Sequence, residues 1–109
     1  MNARGEIELA LGEKKYTLAL EYAAIKKIER EAGGLISLAR ALPSGDVTLD
    51  QVVSIIRHAS GTSDSEETVG NAVLSAGMLA ALNPISDFVT LAIAGGMPVD
   101  GEGKKKPTK

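Results

Sequence analysis

The chain has 109 residues, 44% of them hydrophobic, with two Tyr, one Phe, no Trp, no Cys and a net charge of −2. That length suits one domain, whose single core buries roughly two-thirds of the surface the unfolded chain exposes, and an aliphatic, Ala-rich interior suits packed helices better than a β-sandwich. The missing cysteines exclude a disulfide framework, a thiolate nucleophile and a sulfur-ligated zinc site, while the near-neutral balance supplies no strong field to draw nucleic acid.

The opening residues Met1-Asn2-Ala3-Arg4-Gly5-Glu6 carry neither the apolar stretch nor the small-residue cleavage site of a secretory signal, so a cytoplasmic protein is expected. Ile7, Leu9 and Leu11 then alternate, and Tyr16, Leu18 and Leu20 resume the alternation after Gly12-Glu13-Lys14-Lys15. This predicts a β-hairpin over 6–20 with one apolar face, which following helices must cover because a lone hairpin is marginal in water. From Glu21 the period becomes helical: Ala24, Ile25, Ile28 and Ala32 share one face and Lys26, Lys27, Glu29 and Arg30 lie largely on the other, giving a helix over 21–32 stopped by Gly33-Gly34. Leu35, Leu38, Ala39 and Leu42 predict a second helix over 35–42, terminated by Pro43-Ser44-Gly45.

The third helix, 49–60, has a capping box in Thr48-Leu49-Asp50-Gln51, a Val47–Val52 staple and a buried stripe of Leu49, Val52, Val53 and Ile56. The polar run 62–67 offers the next N-cap, Ser63 with Glu66 or Asp64 with Glu67, for a fourth helix over 66–82. Asn83-Pro84 places a good capping residue before a proline suited to the first helical position, so a fifth helix is expected over 84–94, with Ile85, Phe88, Val89 and Ala92 inward. Residues 98–109, with Lys104, Lys105, Lys106 and Lys109, are expected to form a disordered, solubilising tail beyond a single domain spanning 1–97. The fold class is therefore α+β, mainly α: an N-terminal β-hairpin and a compact bundle of five short helices.

No catalytic, metal or cofactor constellation is legible, and the chain is not expected to be an enzyme. The single imidazole, His58, falls near the end of helix three, where a histidine interacting with the last carbonyls is the simplest account. Asp64, Glu66 and Glu67 lie across a loop from it without ligand spacing. Glu6 and Glu8 read as a solvated strand face, and Gly33-Gly34 and Gly95-Gly96 as helix stops, since neither has the spacing of a phosphate-binding loop. Helices two and three could mimic a helix-turn-helix, but Arg57 and His58 sit at the wrong end of the recognition helix for base contact. The longest apolar stretch, Ala72 to Leu82, is about half the roughly 20 residues a bilayer requires. Neither nucleic acid nor membrane is an expected partner. The small-residue face of helix four reads first as core and second as a groove that admits a neighbouring helix.

The segment Gly5-Glu6-Ile7-Glu8-Leu9-Ala10-Leu11-Gly12-Glu13-Lys14-Lys15-Tyr16-Thr17-Leu18, with Ala24-Ile25, Ile28-Glu29 and Ala32-Gly33, resembles the N-terminal half of the gene transfer agent tail assembly chaperone family, whose members also carry a tail-tube label. The likeness extends through Leu35, Leu38 and Val52 to Ala59, with His58-Ala59 in place of a more apolar ending; beyond Ser65 it is one of helical pattern. It implies a cytoplasmic protein of a bacterial host, from a prophage or gene transfer agent, that binds the tape measure protein and keeps it soluble while the tail is built. Other tail proteins and self-association are further options for its partners. The contact surface expected on that reading includes Leu74, Met78, Leu79, Phe88 and Leu91. The alternative is a tube-associated structural component retained in the particle.

Overall fold

The computed structural model describes residues 5–95. The expected hairpin is present as β1 (Glu6–Leu11) and β2 (Lys14–Ala19), antiparallel, with Leu9 opposite Tyr16 and Ile7 opposite Leu18. Its turn is only Gly12-Glu13, with Gly12 at φ 65°, and Lys14 and Lys15 belong to β2. Leu9, Leu11, Tyr16 and Leu18 are buried and Ile7 beside them is half-buried, so this face of the sheet packs on the core.

Five helices follow: α1 (Tyr22–Glu31), α2 (Leu35–Ser44), α3 (Leu49–Ser60), α4 (Glu66–Ala76) and α5 (Met78–Ala94). Glu29 of α1 takes over the capping of α2, because Gly34 has no side chain to do so; its Oε2 accepts from Leu35 N at 3.1 Å. The second helix runs past Pro43, two residues further than the sequence suggests. Gly45 and Asp46 donate to the carbonyls of Leu42 and Ala41, closing the end with Gly45 left-handed, and this double closure holds a last turn that proline alone would stop.

The expected bounds of α3 hold at both ends. Thr48 Oγ1 accepts from Gln51 N at 3.1 Å, and Gln51 Oε1 accepts from Thr48 N at 2.8 Å. Gln51 also donates to Ala32 O at 2.8 Å, which ties the start of α3 to the end of α1. α3 packs against α1, α4, α5 and β2 and is therefore the central element. That position explains why Ile55 is buried beside the expected Val52, Val53 and Ile56, whereas Leu49 at the first turn is only half-buried.

The C-terminal half departs from expectation. The cap of α4 is Ser65, whose Oγ accepts from Thr68 N at 3.1 Å, rather than Ser63 or Asp64. The fourth helix ends at Ala76 instead of continuing to 82. Gly77 adopts φ 99°, ψ 138°, and the chain turns 110° between α4 and α5. That backbone region is essentially reserved for glycine. Helix five therefore starts at Met78, not at Pro84, and Pro84 lies inside it. The carbonyl that Pro84 cannot partner belongs to exposed Ala80, where water is available to it. α5 covers β1 and packs on α2, α3 and α4. The tail expected over 98–109 lies outside the described residues.

Candidate functional site

The five residues expected to form a contact surface do not share one fate. Phe88 is completely buried, at 0% exposure, and belongs to the hydrophobic core rather than to the surface. Met78 and Leu91 are half-buried and packed against the same core. Leu74 and Leu79 remain 60% and 78% exposed. They flank the Gly77 elbow, and each borders a different depression. Leu74 lines a groove of about 510 Å³ between α3 and α4, and Leu79 one of about 390 Å³ between α2 and α5. Apolar period places these leucines on helices without showing that both face outward.

Two polar clusters hold the scaffold beneath. On one side, His58 Nε2 lies 2.9 Å from Glu31 Oε1, without the alignment of a full hydrogen bond, and Ser54 Oγ donates to the same oxygen at 2.9 Å. His58 thus links α3 to α1 instead of serving the carbonyls at the end of its own helix. Those contacts, His58 first and Ser54 next, hold the Glu31 carboxyl below its ordinary range.

On the other side, Asp64 Oδ2 accepts from Tyr16 Oη at 2.9 Å and pairs with Lys14 Nζ at 3.0 Å, while Arg57 Nε donates to the Asp64 carbonyl at 3.2 Å. The loop before α4 is thereby pinned to the hairpin. Burial first, and then the hydrogen bond and charge of Asp64, push the Tyr16 phenol from 10.0 up to about 12. The Asp64 carboxyl is lowered by the bonds from Lys14 and Tyr16. Stability supplied by the raised phenol is complete below its ordinary value and is lost as pH climbs through about 12. Stability supplied by Asp64 and Glu31 is present above the ordinary carboxylate range and is lost as pH falls through their lowered values. Asp64→Asn is expected to bring the Tyr16 titration down without restoring it fully, because burial remains, and to reduce the loss of stability in acid. Ultraviolet titration of tyrosinate and thermal unfolding against pH check both.

Among the described residues no group of three or more His, Asp or Glu side chains is placed to hold a metal, and no single helix is long and apolar enough to cross a membrane. Glu6 and Glu8 lie on the outer side of the hairpin, half-buried and exposed. What the fold presents most distinctly is an apolar elbow, Leu74 and Leu79 on either side of Gly77, on a small hairpin-and-helix body. A family model described as "Phage tail tube protein, GTA-gp10" matches residues 4–95, and the chain belongs to this family of phage and gene transfer agent tail proteins. The match spans both the hairpin and all five helices, further than the residues that carried the resemblance in the sequence. No curated protein and no solved structure matches the chain.

Proposed function

We propose that this tail-family protein is a non-enzymatic assembly chaperone that works in the bacterial cytoplasm, binding the tape measure protein of a prophage or gene transfer agent and keeping it soluble during tail morphogenesis. The observation that carries this reading is the pair of exposed leucines, Leu74 and Leu79, beside open grooves at the elbow. Tyr22, Ile36 and Ile93 are exposed as well, but Leu74 and Leu79 stand beside the grooves at the elbow, where a docking apolar helix can use them. Most of the remaining surface is charged or polar, which suits a carrier that must keep a sticky client dispersed.

The test is co-expression with the long helical tail protein encoded nearby, with each also expressed alone. The expected result is that the long protein becomes soluble only in the pair. Leu79→Asp is expected to abolish co-purification while changing folding stability by no more than about 0.5 kcal/mol, since the site is exposed. A second reading, a tube-associated component retained in the particle, is favoured by the family's own description. Mass spectrometry of purified particles separates the two: stoichiometric presence supports the structural component and removes the chaperone.

A further inference from the structure

The groove between α3 and α4 has a composition unlike the rest of the surface. Its walls are built from side chains repeating every four residues: Leu49 and Val53 on α3, and Glu66, Gly70 and Leu74 on α4. Leu49, Val53 and Leu74 supply its apolar part, Glu31, Asp50, Glu66 and Glu67 bring four carboxylates to its lining, and no Lys, Arg or His is part of it. Two of these are engaged from outside the groove, Glu31 by His58 and, loosely at 3.9 Å, Glu66 by Arg57.

Gly70 supplies a second, independent observation. It sits inside α4, half-exposed, where glycine weakens a helix relative to alanine. Packing within the chain does not require it, because an added Cβ would stand 3.7 Å from Val53 Cγ2, an ordinary contact distance. What the missing side chain does provide is depth midway between Glu66 and Leu74, where another backbone can approach closely.

Resting on the reading that this protein binds a helical partner, we infer that the α3–α4 groove is the docking site, and that its occupant is a basic amphipathic helix of that partner. Its apolar stripe would lie over Val53, Gly70 and Leu74, and its Lys or Arg residues against the acidic rim. The groove extends over about two helical turns, from Glu66 to Leu74. A second copy docked symmetrically would set the same carboxylates against each other, so charge disfavours it.

The probe is a synthetic helical peptide with leucines at i, i+3, i+4 and i+7 flanked by lysines, and a twin with glutamates in place of the lysines, titrated against the full chain. The lysine peptide is expected to bind, more weakly as salt rises, and the glutamate twin at least about tenfold more weakly. Gly70→Leu, which fills the groove, and Glu67→Lys, which sets a cation on its acidic rim, are each expected to weaken binding about tenfold or more. Gly70→Ala keeps the variant folded by design: it should raise the thermal midpoint and still lower affinity. Equal binding of both peptides, no binding of either, or binding indifferent to these substitutions overturns the inference. So does a dimer of the free chain that Gly70→Leu dissociates, which would give the groove to a second copy, or a groove that accepts the peptide only after residues 96–109 are removed, which would give it to the chain's own lysine-rich segment. Failure of the wild-type chain to capture the tape measure while it binds the lysine peptide removes the chaperone reading and leaves the groove standing.

Discussion

Phe88→Ala is expected to destabilise the fold by about 3–5 kcal/mol, enough to consume much of the roughly 5–15 kcal/mol that holds a domain together. Phe88 is the one phenylalanine of the chain, is fully buried, and is the largest side chain to be so. The helix that carries it, α5, packs on β1, α2, α3 and α4. Truncation would leave a cavity at the meeting point of these elements, where the surrounding side chains are held by different backbones and cannot all close in. Denaturant titration monitored by circular dichroism checks the size of the effect. The same measurement decides the role of the residue, because a contact side chain would lose partner binding with little change in stability, as expected for Leu79→Asp.

Gly77→Ala is expected to cost about 1–3 kcal/mol for a reason unrelated to packing. Nothing lies within 4 Å of the position a Cβ would take, so the substituted methyl meets open space. The penalty arises wholly from φ 99°, ψ 138°, a conformation that the Cβ of an L-residue opposes. Thermal unfolding should thus show opposite signs for the same substitution at two glycines of neighbouring sequence: lower stability at Gly77, higher at Gly70. Equal effects would mean that the elbow does not depend on the glycine backbone.

Much of the N-terminal half is legible in the sequence because local signals agree there. Leu9 and Leu18 alternate on a hairpin face, and Thr48 with Gln51 marks the start of α3, which the structure keeps to the residue. Beyond Ser65 the local signals conflict. Gly77 sits in a run of small residues and reads as a close-packing position, while Asn83-Pro84 reads as a helix start; the chain turns at the first and runs through the second. Positive φ leaves no mark that separates a hinge glycine from a packing glycine. Periodicity places Phe88 inward with Ile85 and Val89, as the structure has it, and it is the expected contact surface that misplaces the residue. Several polar residues before α4 can serve as its cap, and the choice of Ser65 falls to the loop geometry fixed by Asp64 on Tyr16 and Lys14. The acidic groove escaped for a related reason: Asp50 and Glu66 belong to different helices, and only tertiary packing brings them to one rim.

The elbow at Gly77 also sets how large the molecule is. Residues 66–94 drawn out as one straight helix would reach about 43 Å at 1.5 Å per residue, longer than the 40 Å principal extent of the whole body. A chain that straightened there would carry its last helix away from its own hairpin, leaving the face of β1 to be filled by the same helix of a neighbour. One glycine thus decides that the cover of the hairpin comes from within the chain itself.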